Sequence, residues 1–329
     1  MSRFEEMQIF AKVVETGSIT RAAQVLDIAK SAVSRRLAEL ESRLGVQLLV
    51  RTTRKLTLTE TGRSYYERCL RLLEDLAELE EAVTSEHKSL SGKLKIAAPF
   101  TFGMMHLGCV FNDFMQMHPN LNFDINFNDR QVDIVQEGYD LAIRIGRLVD
   151  STLIARPICK IHTVICASPA YLEKFGEPKT PEELTQHRVI HYSNLPNSIW
   201  RFWNSKGECI EVSVNPWLQA NAGDYLRQAA VNGYGIVTQP NFILYKEIAS
   251  GALKPILTEY QLVESNAYLI YPHTRHLSHR VRTFVDYVLE RFKGTPYWDQ
   301  PLNEFCENAG CPSPSDFKPR PEDGAPAMK

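Results

Sequence analysis

Apolar positions in the first part of the chain follow helical periods. Val33, Leu37, Leu40 and Leu44 recur at steps of four, three and four, which puts them on one side of a helix as its buried face. Ser31, Arg35, Ala38 and Ser42 point the other way, with Lys30 and Ser34 on the flank. Just upstream, Ile19, Ala22, Ala23 and Leu26 mark a short helix whose small side chains allow a close crossing, and Asp27 with Ile28 makes the turn. Two short apolar runs, Val46 to Val50 and Leu56 to Thr59, predict strands around a hairpin tip of Arg51, Thr52, Thr53, Arg54 and Lys55. From Glu60 to Lys88 there is no proline, and Tyr66, Cys69, Leu73, Leu76 and Val83 keep a three-four alternation widened by Leu72 and Leu79. Such a helix buries its stripe against a copy of itself, or against its own domain. Glu80 interrupts the seam, which points to an antiparallel or offset contact.

After a hinge at Ser89, Leu90, Ser91 and Gly92 the pattern changes to alternating strands and helices. The segment KLKIAAP, a helix from Phe102 to His118, LNFDINFND, a short helix from Val132 to Glu137 and DLAIRIG make one run. A second run holds HTVICAS, helices at Pro169 to Phe175 and Pro181 to Gln186, and strands at Val189 to Tyr192 and Glu208 to Val214. Tyr268 to Tyr271 and a helix from Ser278 to Phe292 return to the first lobe. That order predicts an α/β domain with a largely parallel sheet, in two lobes joined by two crossings, leaving a cleft between them.

Charge sharpens the picture at the amino end. Between Lys30 and Lys55 seven basic residues face two acidic ones, a balance of +5 in a chain whose net charge is −2. Segregated positive charge over a helix-turn-helix pattern suits DNA, where phosphate neutralisation dominates sequence-independent affinity. Arginine and serine on a small, polar helix face reach guanine or phosphate in a major groove, and a basic hairpin tip suits phosphate or minor-groove contact. The alternative is a solvated helix face. With 329 residues and 44% hydrophobic residues the chain holds two or three domains. Glu5, Glu6, Lys12 and Glu15 among the first apolar positions argue against a signal peptide or membrane span. Seven cysteines at irregular spacing argue against a disulfide framework, so a cytoplasmic protein is expected.

The order AAxxLxIxxSAVSRRLxxLExxLGVxLLxRTTRxLxLTETG, standing from Ala22 to Gly62, closely resembles the amino-terminal signature of bacterial LysR-type transcriptional regulators, with further matches to about residue 293. The resemblance implies an α/β protein with an N-terminal winged helix-turn-helix (1–60), a long dimerising linker helix (61–90) and a two-lobed periplasmic-binding-protein-like effector domain (91–294). Lobe I would comprise 91–162 and 267–294, and lobe II 163–266. It further implies a homodimer or homotetramer on a near-palindromic promoter site in double-stranded DNA, with RNA polymerase as a possible further partner. The family's DNA-reading positions fall on Lys30, Ser31, Ser34 and Arg35, with Arg51, Thr52, Thr53 and Arg54 in the wing. One position departs: Ala29, where the family usually has a capping serine, cannot cap.

Effector-binding candidates come from strand ends, where open α/β sheets hold ligands, and from the resemblance. Pro99, Phe100 and Thr101 would offer free amides and a hydroxyl to a small, anionic effector. Arg130 and Arg144 are candidate anion clamps, although Arg144 in the LAIRIG strand equally suits a structural pairing. Tyr192, Ser193, Trp200, Asn221 and Thr238 are rim candidates, and Trp200 also belongs to an aromatic group, with Phe202 and Trp203, that suits a core. An alternative regulator senses oxidant or pH through effector-domain cysteines such as Cys159, Cys166 and Cys209, or through Cys306 with Cys311, without a diffusible ligand. His273, His276 and His279 lack the companions of a metal site. No nucleophile motif, phosphate loop or catalytic carboxylate pair stands out, so neither enzyme activity nor a cofactor is expected. The proline-rich polar stretch 295–329 reads as a largely disordered tail, with docking through Tyr297 and Trp298 as the alternative.

Overall fold

Serine side chains open the first two helices of the structure, a computed structural model that describes residues 2–51, 56–84, 90–130, 132–146, 152–195, 198–273 and 277–311. Ser2 Oγ accepts from the Phe4 amide at the start of α1 (Arg3–Thr16), and Ser18 Oγ accepts from the Arg21 amide at the start of α2 (Ile19–Val25). The apolar periodicity of α1 went unread in the sequence. Asp27, at a φ of 51°, turns the chain while the Ile28 amide bonds the Ala23 carbonyl at 3.1 Å. A short polar side chain tolerates that left-handed backbone. Helix α3 (Lys30–Leu44) starts at Ala29 without a side-chain cap and stops at Gly45, whose φ is 69°.

Strands β1 (Leu49–Arg51) and β2 (Leu56–Leu58) pair antiparallel with Leu49 opposite Leu58, shorter than the runs that predicted them. Thr59 then locks the hairpin to α4 (Glu60–Thr84): its hydroxyl donates to the Gln47 carbonyl at 2.8 Å and accepts from the Gly62 amide at 2.9 Å. A Cβ on Gly62 would stand 2.0 Å from the Leu48 carbonyl oxygen, so only glycine fits this approach. The core gathers Phe10, Val13, Val33, Leu37, Leu40 and Leu48, and α4 closes it with Tyr65, Tyr66 and Cys69. Tyr66 and Cys69 therefore pack within their own domain, which corrects the expectation that the whole α4 stripe faces a second copy. Leu72 is 54% exposed, and the side chains of Leu79, Glu80 and Val83 lie outside the described residues, as do Ser85 to Ser89.

Residues 1–92 and 93–329 are separate compact units. In the second, β3 (Gly92–Ala98) leads into α5 (Phe100–Phe102), one π-helical turn (Gly103–Leu107) and α6 (Gly108–Met117), followed by β4 (Leu121–Phe127), β5 (Leu141–Gly146) and β6 (Leu153–Ile161). The chain then crosses to β7 (Thr163–Ala167), α7 (Pro169–Phe175), a 3-10 turn (Pro181–Gln186), β8 (Val189–Tyr192), and a ribbon of β9 (Ile199–Trp203) with β10 (Cys209–Ser213). Next come β11 (Pro216–Ala220), α8 (Gly223–Val231), β12 (Ile236–Pro240), α9 (Asn241–Ala249) and β13 (Lys254–Pro255). Strand β14 (Ser265–Pro272) and α10 (His279–Arg291) complete the first lobe, and a 3-10 turn (Tyr297–Asp299) leads to α11 (Gln300–Ala309).

The two sheets run β4-β3-β5-β14-β6 and β11-β8-β12-β7-β13. Both are mixed, not largely parallel as expected: β3/β5, β11/β8 and β12/β8 are parallel, but β14 and β7 pair antiparallel with the strands on either side of them. Those strands re-enter from the other lobe, and a strand returning through a crossing can add in either direction. The expected helix at Val132 to Glu137 is a turn, held where Glu137 and Tyr139 amides bond the Asp133 and Ile134 carbonyls. The expected disorder beyond residue 295 is also corrected as far as Cys311, because Trp298 is buried and a capped helix follows it. Residues 312–329 lie outside the described residues.

Candidate nucleic-acid interface and inter-lobe cleft

Burial of Val33, Leu37 and Leu40 fixes the rotation of α3 and turns its small polar face outward. Lys30, Ser31 and Arg35 are exposed and Ser34 is half-buried beside them. Arg35 sits 3.7 Å from Glu39 in an exposed i,i+4 pair, a weak surface contact that a phosphate or base edge can displace. Two charges of the second half of α3 are used internally. Arg43 bonds Glu6 of α1 at 2.6 Å, which raises the guanidinium above its ordinary range, and Glu41 accepts the Leu48 and Leu49 amides at 2.8 and 2.9 Å. Part of the +5 balance is thus structural, and the cations on the outward face belong to the first two turns. In the wing, the backbone of Arg51 pairs with Leu56; its side chain and Thr52, Thr53, Arg54 and Lys55 lie outside the described residues.

The effector-domain candidates divide by position. Ser193 and Asn221 stand exposed at the carboxyl ends of the parallel neighbours β8 and β11, and the Ser193 amide bonds the Ala220 carbonyl at 3.0 Å. From the first lobe, Thr101 reaches the same region: its Oγ1 lies 3.5 Å, and Gln239 Oε1 3.2 Å, from the point where a Cβ on Gly223 would stand. Thr101 is 8% exposed and Gln239 3%, and the Gln239 Nε2 group has no hydrogen-bond partner. Asp129 and Tyr192 meet across the lobes, the phenol hydrogen-bonded to the carboxylate, with the Asn194 amide donating to the phenol oxygen at 3.1 Å. Burial and Asp129 together push the Tyr192 phenol upward, so it remains a donor.

Three expected anion contacts are occupied by the chain itself. The Phe100 amide donates to Asp129 Oδ1 at 3.0 Å. Arg130 forks onto Glu137, raising the guanidinium and lowering the carboxyl. Arg144 is half-buried and donates to the Val132 carbonyl, so it is held by the chain, although by a backbone oxygen and not by the ion pair that was the alternative. Pro99 is half-buried and Phe100 exposed at the strand end. Trp200 is misplaced as a rim residue: it is 5% exposed on the β9–β10 ribbon, inside the second lobe's core, with its indole N–H 3.4 Å from His191 Nδ1. Thr238 is half-buried opposite Ile165, and its neighbour Gln239 is the β12 side chain that reaches Thr101. Gln239, Asp129 and Gly223 went unread, although strand alternation next to Thr238 was a usable signal for the first.

Among the described residues no cluster of three or more histidine, cysteine or carboxylate side chains is poised to hold a metal, and no helix is long and apolar enough to cross a membrane. His276 lies outside the described residues.

Comparison with known proteins aligns residues 4–63 with the bacterial regulatory helix-turn-helix of the lysR family and residues 87–293 with the LysR substrate binding domain. An uncharacterized HTH-type transcriptional regulator of Haemophilus influenzae is 37% identical over 281 residues, 85% of this chain and 98% of that protein. The HTH-type transcriptional regulator CrgA of Neisseria meningitidis is 33% identical over 87% of this chain and 96% of its own length. Among solved structures, the full-length Vibrio cholerae virulence activator AphB shares 33% identity, covering 88% of this chain and all of that one, with a TM-score of 0.57. CrgA likewise shares 32% identity over 89% of this chain with a TM-score of 0.57.

Proposed function

Because the chain belongs to the LysR family of DNA-binding transcriptional regulators, and is on that ground not an enzyme, we propose that it reads a near-palindromic promoter site through Lys30, Ser31, Ser34 and Arg35. The wing residues Arg51, Thr52, Thr53 and Arg54 take the flanking phosphates or minor groove, and two or four copies present paired recognition helices to the two half-sites. A cytoplasmic protein working beside RNA polymerase fits this role. The observation that carries the reading is the orientation of α3, whose exposed first half holds Lys30, Ser31 and Arg35 while Glu41 and Arg43 of its second half engage the protein. In footprinting, a Lys30→Ala, Arg35→Ala double variant loses specific protection, at about 1–3 kcal/mol per good bidentate contact. Unchanged protection would remove the assignment.

The cleft reading assigns a small-molecule effector to Thr101, Asp129, Tyr192, Ser193, Asn221 and Gln239. Asp129 holds the Phe100 amide and each named arginine engages its own partner, so the lining favours a polar molecule that donates hydrogen bonds over a carboxylate. The Gln239 Nε2 group, buried without a partner, is a donor, so the same ligand also carries an uncharged accepting atom for it. A thermal-shift screen pairing carboxylates with uncharged or cationic analogues tests this: the melting temperature rises with ligand concentration for the second set. A rise confined to carboxylates would reverse it. The cysteine-sensing alternative has less support, because burial raises the Cys159 thiol to about 12 and also raises Cys166 and Cys209, leaving little reactive thiolate.

A further inference from the structure

The matched effector domain ends at residue 293, yet the chain beyond it inserts where the two lobes meet. Trp298 is 1% exposed and its ring lies 5.8 Å from Phe102 and 4.4 Å from His106 on the first lobe, and 6.4 Å from Phe242 at the start of α9 on the second. Asp299, also 1% exposed, accepts from Asn241 Nδ2 at 2.9 Å, and its other oxygen stands 3.2 Å from His162 Nδ1. Asn241 Nδ2 reaches the Trp298 carbonyl as well, at 2.8 Å, and the Asn241 amide bonds the His162 carbonyl at 2.7 Å. His162 is the residue between β6 and β7, where the chain passes from one sheet to the other. On the far side, His106 Nε2 lies 3.1 Å from the Phe242 carbonyl and Nδ1 2.6 Å from the Tyr297 hydroxyl, so a neutral imidazole donates to the carbonyl and accepts from the phenol.

We infer that Pro296–Cys311 is an intramolecular strap that pins both lobes at their crossing and thereby limits how far they move when the cleft is filled. The second clause rests on the effector reading above, whereas the pinning does not. A surface appendage would touch one lobe; this segment engages the hinge residue, the start of α9 and the π-helical turn of the first lobe together. Buried polar partners make the docking specific, because a side chain that loses its partner there pays the full desolvation penalty.

Two imidazoles of the lobes face the strap with opposite demands. Asp299 raises His162, against burial, with Glu264 helping and Lys160 opposing; Asp299 is also felt by Cys159. Burial lowers His106 to about 4, opposed by its bond to Phe242 and assisted by Lys246, while Tyr297 is held protonated by burial with Tyr245 and Cys109 beside it. The His162–Asp299 contact is therefore complete below the ordinary imidazole value of about 6.5 and is lost as pH rises through the raised one.

Hydrogen exchange of the full chain without ligand tests the strap, comparing the parent with Asp299→Ala and the milder Asp299→Asn. The expected result is about tenfold faster exchange both at the start of α9 and across Gly103–Leu107, outside the strap on each lobe. Acceleration confined to 297–309 would overturn it. Should Asp299→Ala fail to fold, the parent compared at pH 6 and pH 9, corrected for intrinsic exchange, decides: loss of protection on both lobes at pH 9 supports the strap, and an unchanged pattern rejects it. A coupled pattern together with an unresponsive ligand screen would remove the effector reading alone.

Discussion

Ala29 has a ψ of 139°, a backbone already shaped for an N-cap, and no side-chain acceptor to offer. Ala29→Ser restores one where the chain needs no rearrangement, so the urea midpoint rises by the equivalent of about 0.5–2 kcal/mol with an unchanged slope. A lower midpoint would show that the first turn is held some other way. The same scale explains where the cleft was misread. Thr238 and Gln239 are adjacent on β12, and in a strand neighbouring side chains face opposite ways, so choosing the wrong one of the pair selects the wrong face. Trp200 was legible as part of an aromatic group with Phe202 and Trp203 that suits a core, and that reading holds; its pairing with Cys209–Ser213, which buries it, is not announced by any local pattern.

At the scale of elements, what was legible follows from period and punctuation. The α3 stripe, the Asp27 turn and the paired wing strands were readable because each satisfies its own local rule. Strand direction was not, since it is decided by long crossings: β14 joins a sheet whose other members lie more than a hundred residues upstream. The tail shows the opposite failure. Its prolines and polar residues suggest a chain too hydrophilic to order itself, and that remains a sound inference for the segment alone. Trp298 and Asp299 find their partners in Phe102, Phe242, Asn241 and His162, all contributed by other elements. Helix α4 lies between these cases, because periodicity gave the stripe correctly but could not divide it between the domain's own core and a second copy.

For the molecule as a whole, acid is the vulnerable direction. Burial lowers His106 to about 4, and lowers His118, His187 and His191 as well. Unfolded, these imidazoles take up protons near 6.5, so between that pH and their native values the unfolded chain binds more protons and stability falls as pH drops. Calorimetry should find the effector domain's melting temperature declining from pH 7 to pH 5; a flat profile would contradict the neutral assignment of these groups. The two-crossing path has another consequence, for the order in which a ribosome delivers the parts. Strand β5 ends at Gly146 but its neighbour β14 begins at Ser265, 119 positions on, and every strand of the second lobe emerges between them. At about 5–20 residues per second the edge of β5 waits on the order of ten seconds for its partner. The second lobe can close its sheet while the first still lacks a middle strand, so substitutions in β14 should be felt first as lost yield during synthesis.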